Sequence, residues 1–228
     1  IAPNKKEYLF GLRFGFETDS LDMAGKKINE SNVIPSESDI KSALLTISQS
    51  TEQIPPLFSA IHINGKRAYE LARIGENITM PARPITIYEL EYCGKKDTEY
   101  NFRVVCSRGT YVRAIVRDIA KLCGALATTT YIRRTYTNGF DIKNAVKLDF
   151  LENLVNNNGR IKEYLMQSDC ALGDIPVINL NDKDAELYKN GGFITVAALD
   201  SMVRVYNDSK FVGIGVVKDK QLRPKRTI

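Results

Sequence analysis

The stretch CSRGTYVRAIVRDIA, residues 106–120, decides how the chain is read. Upstream of it, Tyr100, Phe102, Val104 and Cys106 alternate with other residues, the two-residue repeat of a strand with one buried face. Downstream, Val112, Ile115, Val116, Ile119 and Leu122 recur at helical spacing, and Gly124 ends that helix. Ser107, Gly109 and Thr110 lie at the joint. A helix starting near Thr110 presents unpaired N–H groups and the positive end of its dipole. Arg113 and Arg117, four residues apart, share the face opposite the apolar stripe. Two readings stay open: a mouth that holds a phosphate or a carboxylate, or an ordinary strand-turn-helix joint with exposed arginines.

The neighbouring segments extend this picture. KEYLFGLRFGF (6–16) reads as a strand and SESDIKSALLTI (36–47) as a helix capped by Ser36 or Ser38. Pro55-Pro56 forbids helix, so Leu57 to Ile63 reads as a strand closed by an Asn64-Gly65 turn. KRAYELARIG reads as a helix capped by Gly75. ITIYELEYCG (85–94) and TEYNFRVVCS (98–107) read as an antiparallel pair, followed by a β-rich run over 127–140. Residues 148–169 read as two short packed helices. Beyond Gly173-Asp174 short strands take over, with a hairpin through MVRVY and KFVGIGVV. Helices and strands do not alternate as βαβ units, so the class is α+β. The expected domains are 1–173 and 174–228.

Of 228 residues, 43% are hydrophobic and 26% charged, an ordinary globular balance. No apolar run approaches the roughly 20 residues of a membrane span. The net charge is +5. It is concentrated: residues 103–134 carry seven Lys and Arg against Asp118 alone, and residues 218–228 carry five against Asp219 alone. Two such patches suit a polyanion such as nucleic acid, or else a solvated surface. Four cysteines without a C-x-x-C pair and a single histidine, His62, argue against a metal centre. Cys106 and Cys123 read as reduced core residues, which fits a cytoplasmic protein, and His62 as structural. Tyr8 and Tyr111 can stack on a base or fill a sheet face. Asp19 and Asp22, unaided, read as turn residues.

Four segments in chain order resemble the TruB family of bacterial tRNA pseudouridine 55 synthases. They are KEYLFGLRFGFETDSLDMAG, QIPPLFSAIHINGKRAYELARIG, CSRGTYVRAIVRDIAKLCGALATTTYIRRTYTNGF and VRVYNDSKFVGIGVV. The resemblance implies a pseudouridine synthase sheet with helices, followed by a small PUA-like β-barrel that binds RNA. It implies a monomer that isomerises uridine to pseudouridine in the tRNA T-arm, without cofactor or metal, by flipping the base and rearranging its bond to ribose C1′. By that resemblance Tyr8, Tyr111 and Arg113 are the catalytic residues. Tyr8 stacks on the flipped base, and Arg113 pairs with the nucleophilic aspartate. Asp22 contacts the base, and Ile132 forms the pocket wall where the family has Leu. Arg117, Arg133, Lys225 and Arg226 are expected to contact the RNA. The family's nucleophile lies in a Gly-x-Leu-Asp-Pro loop upstream of the Tyr8 strand, and this chain begins at Ile1. The expectation is therefore a chain inactive as it stands, its activity belonging to the full-length protein. The alternative is a non-catalytic tRNA-binding or RNA-folding protein.

Overall fold

The computed structural model describes residues 5–76, 78–157 and 159–228. The chain divides into two compact units, 5–137 and 138–228. The change of character read in the sequence falls later, at 174.

In the first unit four antiparallel strands lie in the order Ala127–Thr137, Lys6–Phe14, Glu99–Cys106, Ile87–Lys96. Their alternation puts Phe10, Leu12, Phe102, Val104 and Cys106 on a face with no solvent exposure. Phe10 stacks on Phe102 with ring centroids 5.2 Å apart. Burying each such ring is worth about 1.5–3 kcal/mol. Two helices cover this face. Glu37–Ser48 starts with a capping box between Ser36 and Asp39, and it buries Ile40, Ala43, Leu44 and Ile47. Val112–Leu122 buries Val112, Ala114, Ile115, Val116, Ile119 and Ala120. Its end is a Schellman turn: Gly124 at φ +63° donates to the Lys121 carbonyl, and Ala125 to that of Ala120.

Two local expectations change. Leu122, placed on the apolar stripe by spacing, is 51% exposed, because the helix ends there and its last turn overhangs the core. The strand expected over 57–63 shrinks to His62–Ile63, paired with Lys66–Arg67 across the positive-φ turn Asn64-Gly65. His62 itself is exposed on this hairpin. The helix Leu148–Asn156 and a short 3-10 turn, Ile161–Tyr164, pack edge-to-face through Phe150 and Tyr164, with ring centroids 5.3 Å apart, though neither buries a residue fully.

In the second unit five strands form a mixed sheet in the order Val177–Leu180, Ser201–Asn207, Lys210–Lys218, Gln221–Thr227, Ile194–Thr195. The first pairing is parallel and the others antiparallel. The helix Asp182–Lys189 inserts Tyr188 into a core of Val203, Val205, Val217 and Leu222. This curled sheet is the PUA-like domain. Arg204 ties the preceding segment to it, donating to Asp169 Oδ2 at 2.8 Å and to the carbonyls of Ile175 and Gly173. The Tyr206 hydroxyl also donates to Asp169.

Candidate active site

The site is built where the acidic loop, the Pro55-Pro56 segment and the start of the Val112–Leu122 helix meet. After Thr18 the chain turns through Leu21, whose φ of +63° is costly for a branched side chain. The turn is clasped to the neighbouring strand, with Thr129 N–H donating to the Leu21 carbonyl at 3.1 Å. Within the loop, Asp19 Oδ1 accepts from Lys26 N–H at 2.9 Å. Gly25 is required there, since a Cβ would lie 2.3 Å from Ser20 Oγ and 2.4 Å from Asp19 Oδ1. Asp22 Oδ1 accepts from Ser20 Oγ at 2.7 Å and from Ala24 N–H at 3.1 Å. The other oxygen, Oδ2, faces Arg113.

Arg113 is turned inward. Its Nη1 donates to the Ser20 carbonyl at 2.7 Å and to Asp22 Oδ2 at 3.0 Å, and its Nη2 to the Phe58 carbonyl at 2.8 Å. The guanidinium therefore joins three segments that lie far apart in the chain. Its side chain keeps 20% exposure and that of Asp22 32%, so the pair stays reachable from solvent. A cavity of about 460 Å³ lies beside it, lined by Asp19, Ser20, Asp22, Lys26, Phe58 and Arg73 among others.

The tyrosines take different places. Tyr8 is half-buried in the central strand, opposite Val104 on one side and Arg134 on the other. Burial and the neighbouring Cys106 push its phenol above the usual value, and a hydrogen bond with Arg134 works against them. Tyr111 is half-buried against Ile61, Ala68 and Met80. Its backbone N–H and carbonyl are both held by the side chain of Gln53. Ile132 is 44% exposed on the Ala127–Thr137 strand, and Arg133 beside it is exposed. In the second unit Lys225 and Arg226 are exposed on the strand Gln221–Thr227.

Arg117 is held from two sides and keeps 27% side-chain exposure. Its Nε donates to Asp118 at 2.9 Å and its Nη2 to the Ile54 carbonyl at 2.9 Å. Burial pushes the Asp118 carboxyl above the usual carboxylate range, against the pull of Arg117. Arg103 is likewise engaged, by Glu7, Glu89 and Glu91 from the two flanking strands. Three of the seven cations in the 103–134 run are thus compensated, two of them by acids remote in sequence. Among the described residues no group of three or more His, Cys, Asp or Glu side chains could hold a metal ion. The four cysteines are free.

Sequence reasoning missed Gln53, the Ser20 carbonyl and the Phe58 carbonyl. Backbone acceptors leave no mark in a residue pattern. Two family models match the chain, one toward each end. One is TruB family pseudouridylate synthase (N terminal domain), over residues 1–112; the other is Pseudouridine synthase II TruB, C-terminal, over residues 176–228. The tRNA pseudouridine synthase B of Clostridium kluyveri is 33% identical over 98% of this chain and 78% of its own length.

The chain belongs to the TruB family. Other relatives of the same name agree. That of Salmonella typhimurium is 35% identical over 100% of this chain and 77% of its own. That of Caulobacter vibrioides is 38% identical over 79% of this TruB-family chain, which spans 58% of the relative's length. Among solved structures, the crystal structure of a Cbf5-Nop10-Gar1 complex superposes with a TM-score of 0.67 at 17% identity, over 94% of this chain and 60% of that one. An H/ACA RNP bound to a substrate RNA containing 2'-deoxyuridine gives 0.65 at 14%, over 99% and 66%. These two likenesses are of the fold. No helix among the described residues is long and apolar enough to cross a membrane.

Proposed function

We infer that this TruB-family chain carries the uridine-binding platform and the RNA-binding domain of a tRNA pseudouridine synthase. The protein isomerises the uridine at position 55 of the T-arm and acts as a cytoplasmic monomer. The observation that carries the reading is the inward Arg113 guanidinium, held by the acidic loop while its ion pair with Asp22 stays open to solvent.

The reaction breaks the bond between the base and ribose C1′, turns the base, and forms a new bond from C1′ to C5. The proton leaves C5, and the former glycosidic nitrogen takes one up. Atoms and electrons balance within the nucleotide, so the exchange is redox-neutral and needs no cofactor. The target base must leave its stack, at a cost of a few kcal/mol. Stacking on the Tyr8 ring offsets about 1–3 kcal/mol of that. The Tyr8 phenol, its pKa raised by burial, stands beside the base as a proton relay, taking the C5 proton only as its own O–H proton passes on toward the nitrogen that is protonated. Asp22 hydrogen-bonds the base, and Arg113 holds the attacking carboxylate ionised and aimed. Tyr111 and Ile132 wall the pocket. Arg133, Lys225 and Arg226, exposed and cationic, contact phosphates. Arg117, partly exposed, joins them while its Nη2 also holds the Ile54 carbonyl.

The test is release of tritium from C5-labelled uridine in a T-arm stem-loop by the full-length gene product. Release stoichiometric with pseudouridine supports the reading. Folded, RNA-binding protein that releases none overturns it and leaves a non-catalytic RNA-binding role.

A further inference from the structure

Gln53 is 6% exposed and makes both of its side-chain hydrogen bonds to one residue, 58 positions away. Its Oε1 accepts from Tyr111 N–H at 2.8 Å, and its Nε2 donates to the Tyr111 carbonyl at 3.3 Å. An amide clasped on both polar groups of one residue fixes the plane and position of that residue's backbone. Tyr111 is the N-cap of the Val112–Leu122 helix and makes no side-chain cap of its own. Its carbonyl also receives the first helical N–H groups, from Ala114 and Ile115, each at 3.1 Å. Gln53 is thus a cap supplied from a distant segment, satisfying a half-buried donor at the helix end.

The residues after Gln53 carry on the same task. The Ile54 carbonyl accepts from Arg117, and the Phe58 carbonyl from Arg113. Pro55 and Pro56 between them fix φ and stiffen the link. The strap is anchored upstream, where Glu52–Gln53 pairs with Arg83–Pro84. One short segment therefore sets the Tyr111 backbone and one arm of Arg113, two groups only two residues apart.

We propose that Gln53 is a positioning residue for the isomerisation, aiming Tyr111 and Arg113 through this strap. The inference rests on the pseudouridine synthase reading. It claims a role in the chemical step, beyond holding the fold. A displacement of about 1 Å in a group that orients reacting atoms costs on the order of 10²-fold in rate.

The experiment uses the full-length gene product with Gln53→Met and Gln53→Glu. Met keeps the length and volume of the side chain without its hydrogen bonds. Glu keeps the acceptor for Tyr111 N–H and loses the donor. Three quantities are measured: the single-turnover rate of tritium release, the dissociation constant for the T-arm stem-loop, and the thermal midpoint. The single-turnover rate is expected to fall about 10- to 100-fold for Met and less for Glu, with RNA affinity held within about threefold. A purely structural role would lower the midpoint and leave the rate per folded molecule at the wild-type value. An active wild type whose two variants both stay within twofold in rate overturns this inference alone. An inactive wild type overturns the function reading, and this inference with it. If Met fails to fold, the Glu variant decides by the same criterion.

Discussion

Replacing Arg113 with Lys keeps the charge and removes the fork. In the wild type three acceptors surround the guanidinium: the Ser20 carbonyl at 2.7 Å, Asp22 Oδ2 at 3.0 Å and the Phe58 carbonyl at 2.8 Å. They belong to two separate segments, and a single ammonium on a flexible stem cannot serve both. It will stay with Asp22 and the adjacent Ser20 carbonyl, leaving the Phe58 carbonyl without its donor. Losing a hydrogen bond to a charged group costs about 1.5–3 kcal/mol when buried. At 20% exposure, water recovers part of this, so the expected loss is about 1–2 kcal/mol. With a urea slope of about 1–3 kcal/mol/M the midpoint drops by roughly 0.3–2 M. The effect on turnover is expected to be larger. Once Asp22 and Ser20 hold the ammonium, nothing remains to pair with an attacking carboxylate, and the rate falls at least about 100-fold, near 2.7 kcal/mol. Binding of the T-arm stem-loop should stay within a few-fold. The assay pairs tritium release with filter binding on one preparation. A Lys variant with the wild-type rate would show that charge alone suffices. A variant losing rate and affinity equally would make Arg113 a phosphate clamp. Either result refutes the reasoning.

Three further outcomes concern the second unit. Burial alone would raise the Asp169 carboxyl, but the Tyr206 hydroxyl and Arg204 together hold it below the usual range. A depressed carboxylate adds stability above its unfolded value near 3.9, and that contribution is lost as pH falls through the folded value. Asp169→Asn should therefore flatten the acid limb of stability against pH, while Arg204→Met, which strands a buried carboxylate, costs about 3–5 kcal/mol near neutrality. An acid limb in Asp169→Asn as steep as in the wild type would refute the assignment. The Tyr188 hydroxyl is buried without a partner among the described residues, and burial pushes its pKa to about 12. Tyr188→Phe is expected to match or exceed wild-type stability and to make the fall in stability between about pH 10 and 12 shallower, read by chemical denaturation at each pH. Replacing Lys225 and Arg226 with Ala should lower the log–log salt dependence of RNA binding by about 0.7–0.9 for each phosphate that is no longer neutralised. Adjacent strand residues project to opposite faces, so the two single variants should differ. An unchanged slope in the double variant removes this strand from the RNA.

The Arg113 site contains both what was legible beforehand and what was not. The period switch at Cys106 to Val112 reflects local physics, since a buried strand face and a buried helix face impose different repeats. Strand, joint and helix were therefore readable, as were the glycine caps at Gly75 and Gly124. The family motifs put Tyr8, Asp22, Tyr111 and Arg113 in one site; the structure pairs Asp22 with Arg113 and links Tyr111 to them through the segment 53–58, while Tyr8 lies on the central strand between Val104 and Arg134. The charge pattern misled in one respect. Counted along the chain, residues 103–134 look like a continuous cationic stripe, yet Arg103 meets Glu7 and Glu89 from neighbouring strands, and Arg113 meets Asp22.

Sequence alone determined most of the elements and the family, because these depend on residue types at short separations. Tertiary structure alone decided which cations remain available to an anion, and which amide caps the helix at Tyr111. Those partners come from segments 55 to 96 residues away, and two are bare backbone carbonyls common to every residue. Only the folded path of the chain selects them.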